Sequence, residues 1–302
     1  MEKRQIGSSD LHSSVIGLGC MSLDPGNPAE NKRIIDEAVE LGINYFDTAD
    51  LYDFGKNEEI VGSVLAHRRK DIILATKGGN RWNEDKDSWR WDPSKAYIKE
   101  AVKGSLRRLR TDYIDLYQLH GGTIDDHMDE TIEAFDDLVK EGTVRFYGIS
   151  SIRPNVIRYY AEHSKIVSVM MQYSLLDRRP EEMFSLLEDK NISVLARGPV
   201  AKGMLSDKVQ DMDGSRSFLK WRAEDVKQRM LKVKEELKDY RIHEAALQYV
   251  LSSGTVASAV TGASSIEQIR QNASAGMLPH LSDGQKALLS ELFPFEPYKD
   301  HR

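Results

Sequence analysis

Three titratable residues of complementary type close successive apolar runs of this chain: Asp47 ends the run 42–47, Lys77 ends 72–77, and His120 ends 113–120. Tyr52 follows Asp47 within the next turn of chain. An ionised carboxylate at the end of a buried strand is costly unless it has a partner, and a lysine is the natural one. Side chains on a strand alternate faces, so Asp47 shares a face with Tyr45 and Ile43, Lys77 with Ala75 and Ile73, and His120 with Gln118, Leu116 and Ile114. All three can therefore point into one space. A free tyrosine, with a pKa of about 10, is too weak an acid to work near neutrality. An ammonium within hydrogen-bond reach stabilises the phenolate and lowers that value. Asp47 would keep Lys77 charged and oriented, and His120 would hydrogen-bond a substrate oxygen. Such a group donates a proton to a carbonyl oxygen that is gaining negative charge, which suits hydride transfer. Taken singly, Asp47 and Lys77 read better as a structural ion pair and His120 as a satisfied core histidine. Their recurrence at consecutive strand ends, with Tyr52 close by, is what points to a site.

The elements that must position these residues alternate along the chain. Apolar runs at 15–19, 43–47, 72–77, 113–120, 144–150, 167–173, 192–197 and 256–261 read as strands. Helical periodicity follows at 32–41, 58–67, 95–110, 128–141, 154–163, 181–190, 242–253 and 266–275. Eight such units predict parallel strands closed into a (β/α)8 TIM barrel, an α/β fold of one domain over residues 1–302. An open doubly wound sheet is the competing architecture, but Gly17-Leu18-Gly19-Cys20-Met21-Ser22 lacks the third glycine of its dinucleotide fingerprint. A short N-terminal hairpin, with turn residues Gly7-Ser8-Ser9-Asp10, should close one end of the barrel. Two long segments, 80–93 and 206–240 with a helix near 223–238, should build the pocket, and Trp82, Trp89 and Trp91 of the first read equally as an apolar wall for substrate or as packing of the barrel rim. A last helix is expected at 281–293 with Ser282 as its N-cap.

The 302 residues carry a net charge of −6, which argues against nucleic acid or a membrane surface as partner. No apolar run reaches the ~18 residues of a membrane span, and the first residues lack an apolar signal-like stretch. The single cysteine, Cys20, fits a reducing cytoplasm and reads as a small buried hydrophobe. His243-Glu244-Ala245-Ala246-Leu247 has leucine where a zinc motif needs its second histidine, so no metal site is expected.

Read in order, several stretches resemble the aldo-keto reductases over nearly the whole chain: Gly42-Ile43-Asn44-Tyr45-Phe46-Asp47-Thr48-Ala49-Asp50-Leu51-Tyr52, Ala75-Thr76-Lys77, Asp115-Leu116-Tyr117-Gln118-Leu119-His120, Gly148-Ile149-Ser150-Ser151, Gln172-Tyr173-Ser174 and Thr261-Gly262-Ala263-Ser264-Ser265. The resemblance implies a barrel that binds NADP(H) without a Rossmann domain. It implies a catalytic tetrad of Asp47, Tyr52, Lys77 and His120, with Tyr52 as general acid. Ser150, Ser151 and Gln172 would hold the nicotinamide carboxamide, Ser151 standing where family members often have asparagine. Arg197, before Gly198, occupies the position of an aromatic residue that stacks on the nicotinamide, and a guanidinium plane can stack as well. Gly262, Ser264, Gln268 and Asn272 fall where the family holds the adenosine end. Lys208 and Arg216 resemble the 2′-phosphate pair of the potassium-channel β-subunit branch. The function implied is NADPH-dependent reduction of aldehydes and ketones by a cytoplasmic monomer acting on a small-molecule carbonyl substrate. A nicotinamide-binding regulatory subunit is the second reading, and a Schiff-base lyase with Lys77 as nucleophile the third.

Overall fold

The computed structural model describes all 302 residues. Eight parallel strands pair in chain order and close on themselves: β1 (Ile16–Gly19), β2 (Tyr45–Asp47), β3 (Ile73–Gly78), β4 (Ile114–Leu119), β5 (Val144–Ser150), β6 (Ser168–Gln172), β7 (Ser193–Arg197) and β8 (Val256–Gly262). β8 completes the barrel by pairing with β1. The expected (β/α)8 barrel is thus the observed one. Strands buried on both faces are mostly apolar, and β3 and β4 are buried at every position, the polar Thr76, Lys77, Asp115 and Gln118 included.

Helices α1 (Pro28–Glu40), α2 (Lys56–Leu65), α3 (Lys95–Leu109), α4 (Met128–Lys140), α5 (Pro154–His163), α6 (Phe184–Asp189), α7 (Ala223–Glu236), α8 (Ile242–Leu251), α9 (Ile266–Ala275) and α10 (Asp283–Leu292) cover the outside. None is long and apolar enough to cross a membrane. Helix α1 starts at Pro28, ahead of the expected residue 32. Proline at the first helical position has its φ already set and no N–H to lose, and the Asn27 side chain caps the Glu30 amide. Ser282 caps α10 as expected, in a reciprocal box with Gln285.

The barrel interior is filled by Tyr45, Ile73, Ala75, Leu116, Met170, Leu195 and Val260, joined by Ile6 and Leu11. These last two come from the hairpin Lys3–Gln5/His12–Ser14, which plugs the amino end of the barrel and leaves the carboxyl end for a site. Gly17 has a specific part here. A Cβ at this position would come within 2.7 Å of the Tyr45 ring, so glycine lets that ring lie inside the barrel below Asp47. The two long segments are more ordered than their composition suggests. Residues 80–93 form a ribbon, Asn80–Trp82 against Trp89–Trp91, and Ser217–Phe218 pairs with Trp221–Arg222 ahead of α7.

Candidate active site

Asp47 ends β2, Lys77 lies near the end of β3, and His120 follows β4, so three neighbouring strands deliver them to one rim. The Lys77 Nζ donates to Asp47 Oδ2 at 2.6 Å, to the Thr48 carbonyl at 2.7 Å and to the Tyr52 hydroxyl at 3.4 Å. An ammonium has three N–H donors, and each has an acceptor. Asp47 Oδ1 takes a further bond from Gln118 Nε2 at 3.3 Å. The Tyr52 and His120 rings meet edge to face with centroids 5.8 Å apart. Asp47 and Lys77 are buried. Tyr52 and His120 face a cavity of about 690 Å³ that Asp47 and Lys77 also line.

Burial opposes the Lys77 charge, but the Asp47 carboxylate and then Tyr52 outweigh it, so the ammonium is held above its ordinary pKa. That runs against the neutral amine a Schiff-base lyase needs. Burial raises the Asp47 carboxyl, while Lys77, Gln118 and Arg197 pull it back. Burial, then Lys77 and Arg197, push the His120 ring down to about 3, so it is neutral at physiological pH. Its Nδ1 is buried without a protein partner.

The chain matches the model of the Aldo/keto reductase family over residues 15–293. The chain belongs to the aldo-keto reductase family. It is 55% identical, over 100% of both chains, to an uncharacterized oxidoreductase, YqkF, of Bacillus subtilis (strain 168). It is 30% identical to an NADH-specific methylglyoxal reductase of Escherichia coli (strain K12), covering 97% of this chain and 98% of that one. Among solved structures it is similar to the holo form of aldo-keto reductase AKR11C1 from Bacillus halodurans, with a TM-score of 0.96, 54% identity, and 100% and 99% of the two chains covered.

An aldo-keto reductase takes a nicotinamide cofactor, and the cavity fits one. Ser150, Ser151, Gln172, Arg197, Gly198 and Gly262 line it together with the four residues above. Arg153, Arg197 and Lys202 also line it, yet none of the three has a carboxylate partner, although exposed ion pairs occur elsewhere on the surface of this acidic protein. Unpaired cations in a cavity of this size suit a ligand that carries phosphates. Gln172 is held between Arg197, which donates to its Oε1 at 3.3 Å, and Asp177, which accepts from its Nε2 at 3.0 Å. The Ser151 hydroxyl accepts from the Arg153 amide at 3.2 Å. The other expected cofactor residues stand outside the cavity. Asn272 donates to the Gly262 carbonyl at 3.3 Å, and the Ser264 amide and hydroxyl both donate to Gln268 Oε1, so these three form one group beside the Gly262 rim. Lys208 and Arg216 are exposed in the segment before α7.

None of the three tryptophans of the 80–93 segment lines the cavity. Trp91 packs against Gly79 and Gly121 and donates to Asp126 at 2.9 Å, while Trp82 lies against Phe54 and under Arg108. These two pack the rim of the barrel.

Two buried polar residues carry no mark in the sequence. Gln118 reads only as an inward neighbour of His120. Asp50 reads as a loop residue, yet it is buried with no partner for either carboxylate oxygen.

Proposed function

We propose that this aldo-keto reductase uses NADPH to reduce a small carbonyl compound, with Tyr52 as general acid. The observation that carries the reading is the contact set of Lys77. One buried ammonium joins the Asp47 carboxylate to the Tyr52 hydroxyl at the wall of the cavity. The bound cofactor supplies the hydride that reaches the carbonyl carbon. Tyr52 gives its proton to the oxygen, and the Lys77 ammonium stabilises the phenolate left behind. Asp47 keeps Lys77 charged and aimed. The neutral His120 ring hydrogen-bonds the carbonyl oxygen and fixes its direction relative to Tyr52. Because these groups are already in position, little reorganisation is needed as charge develops on the oxygen.

In this reading Ser150, Ser151 and Gln172 would hold the nicotinamide amide, and Arg197 with the Gly198 backbone would flank the ring. Gly262, Ser264, Gln268 and Asn272 would hold the adenosine end, and Lys208 and Arg216 would bind the 2′-phosphate and give the preference for NADP(H). Reduction with NADPH carrying deuterium at the transferable nicotinamide position tests the reaction class. The label is expected on the carbinol carbon of the product. Label appearing in water instead would contradict direct hydride transfer.

A further inference from the structure

Gln118 is fully buried inside the barrel near the end of β4, and its side chain makes one hydrogen bond, from Nε2 to Asp47 Oδ1 at 3.3 Å. Its Oε1 is buried without a donor. A half-satisfied amide in an apolar interior costs free energy that a methionine of similar shape would not. The bond spans β3 and joins two strands that do not pair with each other. Only one orientation of the amide suits the site, because turning it would set an oxygen against a carboxylate. Gln118 therefore contributes little that a packing residue needs, and it donates a charge-assisted bond to one oxygen of one carboxylate.

We propose that Gln118 is a positioning residue for the proton-donating group, holding Asp47 so that Lys77 remains free to serve Tyr52. The proposal rests on the assignment of Tyr52 as general acid. With Oδ1 engaged by Gln118, only Oδ2 is left for Lys77, and the third N–H of the ammonium points to Tyr52. Without Gln118 the carboxylate can turn and offer Lys77 both oxygens. The contact surrendered is then the 3.4 Å one to Tyr52, the longest of the three. Gln118 also favours the ionised form of Asp47 against burial. The other titratable or charged groups facing Asp47 are Lys77, Tyr52, Tyr45, the Cys20 thiol beyond β1, and Arg197 from β7.

The test compares Gln118→Met and Gln118→Glu with wild type and Tyr52→Phe, measuring kcat against pH, NADPH affinity by fluorescence, and folding by circular dichroism. Gln118→Met is expected to bind NADPH as wild type does and to lose about 10- to 100-fold in kcat, the equivalent of one hydrogen bond to a charged group. Its acid limb should move to higher pH, because Asp47 then takes up a proton more readily. Gln118→Glu should work only while the new carboxyl keeps its own proton to donate, so its activity should fall as pH rises. Wild-type kcat and limbs in both variants would overturn the proposal, as would a loss of kcat with unmoved limbs. If Gln118→Met does not fold, Gln118→Glu decides by the same reading. If neither folds, Gln118 is a structural residue and the proposal fails. An active Tyr52→Phe would instead remove the general-acid assignment on which the proposal rests.

Discussion

The Lys77 ammonium stands 3.4 Å from the Tyr52 hydroxyl and 2.6 Å from the Asp47 carboxylate, so its firmer partner is the more buried of the two. This asymmetry has a consequence for chemistry. Asp47 fixes the cation, and with Tyr52 as the proposed general acid the looser contact would shorten as the hydroxyl gave up its proton. Such an arrangement would stabilise the product of that proton transfer more than the resting hydroxyl, which is where binding energy raises kcat.

Replacing Lys77 by methionine should cost both turnover and stability. Asp47 would be left as a buried carboxylate whose remaining donor is Gln118. Removing one partner of a buried pair typically costs about 3–5 kcal/mol. Urea unfolding of Lys77→Met at pH 7 checks this, and a loss below about 1 kcal/mol would show that the pair is not buried as described.

His120 should contribute no limb to the pH–rate profile above pH 5, because its ring titrates at about 3. A histidine whose folded pKa lies below its ordinary 6.5 stabilises the protein above that value. That contribution is lost as pH falls from 6.5 towards 3. His120→Asn should thus lower the plateau of kcat/KM with its limbs unmoved, and flatten the acid-side loss of stability. A limb near pH 6.5 that disappears in this variant would contradict the neutral-ring reading.

Asp50 makes the opposite prediction for stability. Burial, then the charge of Glu58, raise its pKa well above the ordinary value, with Arg108 pulling it back. The folded chain keeps this proton while the unfolded chain releases it above about pH 4. The stabilisation is full below that pH and is lost as pH rises through the folded pKa. Asp50→Asn cannot ionise, so its melting temperature should gain on wild type between pH 5 and pH 8. Parallel curves across that range would show that Asp50 is ionised in the folded protein.

The cofactor assignment rests on two exposed cations. Lys208→Met combined with Arg216→Met should reduce the preference for NADPH over NADH by about tenfold or more, as expected for lost charge-assisted contacts to a phosphate. KM for NADH should not change. An unaltered ratio would remove both residues from the cofactor site.

Much of this geometry was legible in the residues themselves. Mostly apolar runs closing on Asp47, Lys77 and His120 marked β2, β3 and β4, and strand parity showed that these three residues could share the barrel mouth. Parity does not say which side chains touch across an intervening strand. Gln118 was therefore visible as an inward residue, but its bond to Asp47 was not. Asp50 was hidden for a different reason. It is buried, and the charges that act on its carboxyl come from Glu58 of α2 and from Arg108 of α3, the latter far from it in sequence. The tryptophans of the 80–93 segment offered both a pocket wall and a packed rim, and only the path of the ribbon separates the two.

Consumption of NADPH with an activated aromatic aldehyde, measured for wild type and for Tyr52→Phe beside NADPH affinity, decides whether Tyr52 is the general acid. Wild type should turn over, while Tyr52→Phe should lose at least about 100-fold, as expected on removing a general acid, with unchanged NADPH binding. Tyr52→Phe turning over at the wild-type rate, or losing NADPH binding together with activity, would contradict the role given to Tyr52.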